Sequence, residues 1–250
     1  MADNILMRTI SARNLSRDFG SYPAVKEINL ELKHGEVLGF LGPNGAGKTT
    51  TMRMLTGNLA PSNGSIEICG IDLLDKPGAA KLHIGYLPET PPLYHELTVN
   101  EYLLLAAKLH RVNNTNISSA LDEVKLQCGI KDIGNSLIGT LSKGYQQRVG
   151  IAQAIIHNPD VIILDEPTVG LDPNQMREIL SLIRNLGTNR SVILSTHILS
   201  EVTNVCDRIQ IMHQGQMVLN DSLSGLKERG IGLDEIFSQL TLDKKSSEEI

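Results

Sequence analysis

The chain has 250 residues, with 23 Lys and Arg against 28 Asp and Glu, a formal net charge of -5, and 3 Phe, 5 Tyr and no Trp. This length can bury a large α/β core without disulfides or structural metals. The mild acidity and the few aromatic residues argue against a groove or stacking surface for nucleic acid. No apolar run approaches the ~20 residues that span a bilayer, and residues 1–7 do not resemble a secretory signal. We therefore expect a cytosolic protein.

The cysteines and histidines show no sequence pattern of a metal site. Cys69, Cys128 and Cys206 are widely spaced, and none has a second Cys at the short spacing of metal ligands. The seven histidines are scattered in the same way, and only His197 has a distinctive context. Buried free thiols are therefore the better interpretation of the cysteines.

The predicted elements begin with short β-type runs separated by turn signals, at residues 9–16, 28–33, 36–41, 65–69 and 83–87. From about residue 89 to residue 157 the apolar residues recur at the spacing of one face of a helix. One predicted helix face holds Ile117, Ala120, Leu121, Val124 and Cys128. These changes of period predict strands first and a helical insert after them.

The second half of the chain has a βαβ pattern. An apolar strand at 161–164, an amphipathic helix over 176–186 and a second apolar strand at 192–195 predict a buried parallel sheet. A hairpin signal around Gly215 and two short helical stretches follow. Residues 244–250 are polar and charged, and we expect them to be disordered.

A glycine-rich motif lies between the strand at 37–41 and a helix that begins at about Lys48. Gly42-Pro-Asn-Gly-Ala-Gly-Lys48-Thr49-Thr50 fits G-x-x-x-x-G-K-[ST] at every fixed position. The glycines let backbone N–H groups wrap a polyphosphate at the positive end of a helix. Lys48 adds charge at the β and γ phosphates, and the Thr49 hydroxyl is a magnesium ligand. The motif predicts a nucleoside triphosphate site.

Two carboxylates end the apolar strand at 161–164. Asp165 lies at the carboxyl edge of the predicted sheet, where open α/β folds bind their ligands, close to the Lys48 loop. It is placed to hold magnesium. Glu166, one residue on, is placed to polarise an attacking water as a general base.

A third motif, Leu141-Ser-Lys-Gly-Tyr-Gln-Gln-Arg148, leads into an apolar helix. Ser142 is a predicted N-cap, and a capped helix N-terminus is a second anion-binding device. Taken together, the order and spacing of the three motifs resemble the nucleotide-binding subunit of an ABC transporter, over about residues 8–215.

The resemblance implies an α/β fold: a P-loop NTPase core with a parallel sheet, an N-terminal antiparallel β subdomain and an inserted helical subdomain. It places the core at residues 1–88 and 158–220 and the helical subdomain with the signature motif at 89–157. A short helical C-terminal extension with a polar tail takes residues 221–250.

The resemblance also implies the ligands and the residues that hold them. The ligands are ATP and Mg²⁺, with Thr49, Glu89 and Asp165 at the metal and Lys48, Glu166 and His197 in catalysis. Contacts to the nucleotide are implied for Phe19, Val25, Gly42, Pro43, Asn44, Gly45, Ala46, Gly47, Lys48, Thr49, Thr50, Ser142, Gly144 and Asp172. In that family, the signature of one subunit closes over the nucleotide on the phosphate loop of the other.

Three of these positions have a second interpretation. Phe19 matches the aromatic residue that stacks on adenine, and a core Phe at a strand end is equally consistent with the sequence. His197 follows a strand predicted to lie beside that of Asp165 and matches a histidine that contacts the γ phosphate, although a solvent-facing His fits too. Asp172 matches a loop at the dimer interface, and Asp172-Pro173 is also an N-cap followed by Pro at the first helical position.

The sequence departs from the family pattern in two places. Lys143 and Tyr145 stand in the signature, in a form similar to export-type and gliding-motility-type cassettes. Glu89 stands where most of the family has a Gln that ligates magnesium. A carboxylate still ligates magnesium but adds negative charge, so we expect altered metal or ATP affinity with activity retained.

The partners implied by the resemblance are a second copy of the chain and a separate transmembrane permease. The permease would hold this chain at the cytoplasmic face of the inner membrane and would dock on residues 91–99, whose apolar side chains could instead pack the helical insert. An exporter is the main expectation. A soluble ATPase acting in assembly or regulation, and a binding module without turnover, remain as alternatives.

Overall fold

The computed structural model describes residues 8–230 and 232–242. The strands of this part of the chain are β1 Arg8–Phe19, β2 Tyr22–Lys33, β3 Val37–Leu41, β4 Asn63–Ile68, β5 Ile71–Asp72, β6 Ile84–Leu87, β7 Val161–Asp165, β8 Ser191–Thr196, β9 Arg208–His213 and β10 Gln216–Ser222. The helices are α1 Lys48–Leu55, α2 Pro77–Lys81, α3 Val99–Leu109, α4 Ile117–Gln127, α5 Lys143–Ile155, α6 Pro173–Leu186, α7 Leu199–Val205, α8 Leu223–Glu228 and α9 Leu233–Leu242.

The N-terminal strands form an antiparallel sheet of order β2-β1-β4-β5. The first two strands are longer than predicted because the Gly20-Ser21 turn closes a tight hairpin, in which Phe19 pairs with Tyr22. Apolar side chains of β1, β2 and β4, such as Leu15, Leu30 and Ile66, are fully buried. The sheet therefore packs one face against the rest of the core.

The second sheet has the order β10-β9-β3-β8-β7-β6. Strands β9, β3, β8, β7 and β6 are parallel, and β10 pairs antiparallel with β9 at one edge. Along β7, Val161 and Ile163 enter one apolar cluster while Ile162 and Leu164 enter another. A sheet covered on both faces explains why this strand reads as a continuous apolar run. The parallel sheet predicted from the βαβ pattern is confirmed.

Helices α3, α4 and α5 fill the stretch between β6 and β7. The Thr98 side chain and Glu101 cap α3 reciprocally, in a capping box. The predicted apolar face of α4 packs into the core, with Val124 and Cys128 buried. The α/β fold with an antiparallel β part and a helical insert is therefore confirmed.

The C-terminal segment holds the predicted hairpin, β9–β10, and the two helices α8 and α9. The tail at 244–250 lies outside the described residues. Among residues 8–230 and 232–242, no helix combines the length and the apolar character needed to cross a membrane.

Candidate functional site

The glycine-rich loop connects β3 to α1, as predicted. Gly47 is the N-cap of α1, with a left-handed φ of 106°, and a Cβ there would lie 2.6 Å from the Ala24 carbonyl oxygen. Gly42 leaves no room for a Cβ against the Met212 carbonyl. The backbone of this loop therefore requires glycine at both positions. The loop holds the N-terminal end of α1 toward a cleft of about 550 Å³.

Lys48, Glu166 and His197 form one connected group in this cleft. The Lys48 Nζ donates to the Gly42 carbonyl at 2.8 Å and lies 3.3 Å from Glu166 Oε1. The other carboxylate oxygen of Glu166 lies 2.8 Å from His197 Nδ1. Lys48 and Glu166 are nearly buried, and His197 is 40% exposed. His197 is therefore partly open to solvent while its ring contacts Glu166, and its contact with the γ phosphate stays a prediction.

The backbone presents Glu166 in an unusual conformation. Its φ is +49°, in the left-handed region that non-glycine residues seldom adopt. The Glu166 N–H donates to the Ser195 carbonyl of β8 at 2.9 Å, which fixes this turn against the neighbouring strand. Such strained residues cluster at functional sites.

Asp165 ends β7 as a fully buried carboxylate. Within the described part of the chain, neither of its oxygens makes a hydrogen bond of good geometry. Burial raises the pKa of the Asp165 carboxyl, and the nearby Ser195 and Thr49 hydroxyls offset this only in part. Buried polar groups without partners are rare and call for an explanation, and a metal ion is one. Thr49 and the exposed Glu89 line the same cleft.

The outer wall of the cleft is aromatic. Phe19 is 45% exposed, so the core alternative is wrong, and the Arg17 guanidinium lies 4.8 Å from its ring centroid. Tyr22 and Ala24 line the cleft beside it. Sequence reasoning missed Tyr22, although two aromatic residues flanking a two-residue Gly-Ser loop are a hairpin signal that pairs them.

In the described chain, Val25 and Asp172 are not among the residues that line the Lys48 cleft. Val25 is 1% exposed and packs in the apolar core, and among the described residues the cleft is lined by its neighbour Ala24 instead. Burial in the core explains why Val25 does not face the cleft. Asp172 accepts hydrogen bonds from the Asn174 and Gln175 amides, both at 2.9 Å, and so caps α6 before Pro173. The helix-cap interpretation of Asp172 is therefore confirmed, and the dimer-interface interpretation, which is compatible with it, stays a prediction.

A buried glutamate that the sequence analysis did not identify joins two loops of the site. Glu201 of α7 is fully buried and accepts hydrogen bonds from the hydroxyls of Thr168 and Thr196, the second at 2.6 Å. Thr168 follows Glu166 by two residues, and Thr196 precedes His197. Burial raises the pKa of the Glu201 carboxyl, and the two threonines lower it in part. Glu201 therefore positions the loops that carry Glu166 and His197.

The signature motif forms a different surface. Ser142 caps α5 and accepts from the Tyr145 amide at 3.4 Å, as its N-cap prediction required. Within the described chain, Ser142, Gly144 and Tyr145 line a second cavity of about 500 Å³ that shares no lining residue with the Lys48 cleft. The Lys143 side chain lies against Gly170, just after the Glu166 loop.

The proposed docking stretch packs mainly on the helical insert. Leu93 and Leu97 are partly buried against its core, and Tyr102 donates to the Pro92 carbonyl at 3.0 Å. Tyr94 is 51% exposed and contacts the Tyr102 ring edge-on. Tyr94 is therefore the large side chain that this stretch offers to solvent.

Comparisons with known proteins agree with this site. The family model described as ABC transporter matches residues 25–169. The chain is 40% identical over 222 residues to the Bacitracin transport ATP-binding protein BcrA of Bacillus licheniformis, covering 88% of this chain and 72% of that protein. It is 36% identical over 234 residues to the Linearmycin resistance ATP-binding protein LnrL of Bacillus subtilis, covering 93% and 75%.

A solved structure titled "Structure of ATP binding subunit of ABC transporter" superposes with a TM-score of 0.82 and 31% identity, over 93% of this chain and 99% of that one. Subunits of this family bind ATP and work with transmembrane permeases. The family match, the fold and the Lys48 cleft agree, so the chain belongs to the ABC transporter family, as an ATP-binding subunit that hydrolyses ATP to drive transport.

Proposed function

We propose that ATP binds in the Lys48 cleft and is hydrolysed only when a second copy of the chain supplies Ser142 and Gly144 over its γ phosphate. One observation carries this proposal. In the described chain, the signature residues line a cavity separate from the phosphate-loop cleft, so they do not complete the site of their own subunit. Two chains in antiparallel contact would bring each signature helix to the other's nucleotide.

The proposed roles within the cleft follow from its geometry. The loop amides and Lys48 bind the phosphates, and Phe19 and Tyr22 stack on the base. Glu166 accepts a proton from the attacking water, and His197, 2.8 Å from its carboxylate, holds that carboxylate in place.

The unpartnered carboxylate of Asp165 fits a Mg²⁺ site, with Thr49 and Glu89 as further oxygen donors. When bound, Mg²⁺ would neutralise charge that develops on the phosphate oxygens. Glu89 adds a third oxygen and a second negative charge, so this chain should favour magnesium-loaded over metal-free ATP.

The same proposal extends to transport. We propose that the subunit pairs with a separate permease that holds it at the cytoplasmic face of the membrane, and that the transporter exports its cargo. Lys143 and Tyr145 in the signature support export, as do relatives whose names refer to bacitracin transport and linearmycin resistance. In cell fractionation, the chain should sediment with membranes only when its permease is co-expressed.

The test of the shared site uses Glu166→Gln. This variant should bind ATP, fail to release phosphate and accumulate as a dimer with Mg²⁺ and ATP on size-exclusion chromatography. A matched control adds Ser142→Asp, which keeps the N-cap of α5 but places a carboxylate against the partner's γ phosphate. The double variant should bind ATP as a monomer. A Glu166→Gln protein that stays monomeric with bound ATP, or a double variant that still dimerises, would contradict the shared site.

A further inference from the structure

Three side chains that are distant in the sequence meet at the edge of the molecule away from the Lys48 cleft. The Cys69 Sγ, one ring nitrogen of His83 and one oxygen of Asp160 all lie within 4.8 Å of one another. The His83 Nδ1 and Asp160 Oδ2 atoms are 2.6 Å apart. The three segments come from the turn between β4 and β5 and from the residues that precede β6 and β7.

Sheet topology accounts for two members of this cluster. Strands β6 and β7 are parallel neighbours in which Ile84 pairs with Val161, so the residues before them lie side by side. The Val161 amide donates to the His83 carbonyl at 3.0 Å, which fixes this register. The His83 and Asp160 side chains are 35% and 48% exposed, so both can adjust, and an ion can enter from solvent.

The third member occupies a position where cysteine is an unusual choice. Cys69 and Gly70 form the two-residue loop of the β4–β5 hairpin, between the paired residues Ile68 and Ile71. Both loop residues have positive φ, 49° and 77°. Such loops favour Asn, Asp and Gly, so the backbone conformation does not itself favour cysteine at this position. The turn nevertheless directs a thiol at the His83–Asp160 pair.

We propose that Cys69, His83 and Asp160 bind a zinc ion, with water in the fourth position. Thiolate sulfur, imidazole nitrogen and carboxylate oxygen are the three ligand types that zinc takes in proteins, whereas magnesium takes oxygen. Bonds of about 2.0–2.3 Å in tetrahedral geometry place ligand atoms roughly 3.3–3.7 Å apart. The cluster reaches this spacing if the His83–Asp160 contact lengthens by under about 1 Å and the sulfur moves inward.

Binding also has a defined proton balance. Burial raises the pKa of the Cys69 thiol to about 11, and the negative charge of Asp160 is a second, smaller cause. Without metal the thiol therefore keeps its proton and is a poor nucleophile. Zinc binds the thiolate, so one proton leaves the sulfur for solvent as the Zn–S bond forms.

The location gives the site a structural consequence that is separate from catalysis. Asp160 immediately precedes β7 and Asp165 ends it, which puts the two sites about 16 Å apart at ~3.3 Å per residue. Cys69 lies in a turn of the antiparallel sheet, while His83 and Asp160 immediately precede two strands of the second sheet. A bound ion would therefore link the two sheets at their common edge and stabilise their packing.

The test uses the full-length, tag-free chain, stripped with EDTA and kept reduced, without nucleotide or Mg²⁺. Cobalt(II) is the spectroscopic probe, because tetrahedral cobalt has visible bands and a thiolate ligand adds a charge-transfer band in the near ultraviolet. We expect one equivalent of Co²⁺ to give both signals and Zn²⁺ to abolish them. Zinc should also raise the melting temperature.

Variants separate this site from other thiols. Cys69→Ser should lose the charge-transfer band and the zinc-dependent rise in melting temperature. Asp160→Asn, at a half-exposed position that should fold normally, should weaken Zn²⁺ binding by about tenfold or more. Cys206→Ser is the matched control and should keep the band. A wild-type protein without the band, a band that survives Cys69→Ser, or one that is lost in Cys206→Ser would overturn the proposal.

Discussion

We expect the buried Asp165 carboxylate to lower the stability of the protein when no metal is bound, and the substitution Asp165→Asn tests this. The side chain is fully buried at the end of β7, and burial raises its pKa above the value of an unfolded chain. The folded state therefore binds a proton more readily than the unfolded state at this position. Its unfavourable contribution is absent below the unfolded pKa, grows as pH rises from the unfolded pKa to the folded pKa, and is complete above the folded pKa.

The size of the effect follows from the contacts of the carboxylate. Among the described residues, neither oxygen has a well-formed hydrogen bond, and a buried polar group in that state costs about 1–3 kcal/mol. Asparagine has nearly the same shape and no charge, but its amide group stays without a partner, so the substitution removes only the excess cost of the charge. In metal-free and nucleotide-free solution at pH 7, Asp165→Asn should thus raise the free energy of unfolding by about 1 kcal/mol. For a chain of this length, each kcal/mol raises the melting temperature by about 2–4 °C.

Urea denaturation followed by circular dichroism, in EDTA, measures this difference. Asp132→Asn is the control, because Asp132 is exposed and should change the free energy by less than about 0.5 kcal/mol. Magnesium-dependent phosphate release by Asp165→Asn should fall to background, so stability and activity move in opposite directions. A variant that is less stable than the wild type in EDTA would refute the reasoning that the buried charge lacks a partner.

Substitutions at four further residues test other parts of the site. Lys48→Ala should remove ATP binding in a fluorescent-nucleotide titration, and hydrolysis that survived this change would contradict the phosphate-loop assignment. Phe19→Ala should weaken ATP binding by about 1–3 kcal/mol in calorimetry, because it removes one stacking surface. Tyr22→Ala should have a similar effect. In both variants GTP binding should weaken as much as ATP binding, because stacking contacts the face of the base and not the edge that distinguishes adenine from guanine. Glu201→Ala should lower kcat more than it raises KM, because it frees the loops of Glu166 and His197, whereas Glu201→Gln should recover part of the loss.

The parts of the fold and site that the sequence predicted are those carried by short, contiguous patterns. The glycine-rich loop, the apolar strand ending in Asp165 and the N-cap at Ser142 each depend on neighbours within a few residues, and each lies where the pattern placed it. The joint position of the glycine-rich loop and Asp165 at one sheet edge followed from the rule that parallel strands end together. The same rule brought Asp165 beside the strand that leads to His197.

The parts that the sequence did not predict depend on which distant segments pack together. Nothing in the sequence around Glu201 marks it as part of the site. Its role is visible only in the structure, where the hydroxyls of Thr168 and Thr196 both donate to its carboxylate. Cys69 and His83 each lack the second Cys or His at short spacing that sequence metal motifs contain, and only the pairing of β6 with β7 adds Asp160. The nucleotide contact of Val25 was implied by the family resemblance alone, and the alternation of side chains along β2 directs Val25 toward the core.

The ion pair between Lys48 and Glu166 connects the phosphate loop to the proposed catalytic base within one subunit. Both side chains are nearly buried, and Lys48 Nζ lies between the Gly42 carbonyl and Glu166 Oε1. A triphosphate on the loop carries more negative charge than one carboxylate and competes with Glu166 for the same ammonium group. Because His197 lies 2.8 Å from the other oxygen, we expect Glu166 to keep its orientation when it loses Lys48. Under the proposed function, ATP binding would leave a carboxylate that is still oriented but no longer neutralised, and such a carboxylate is the stronger base for the attacking water.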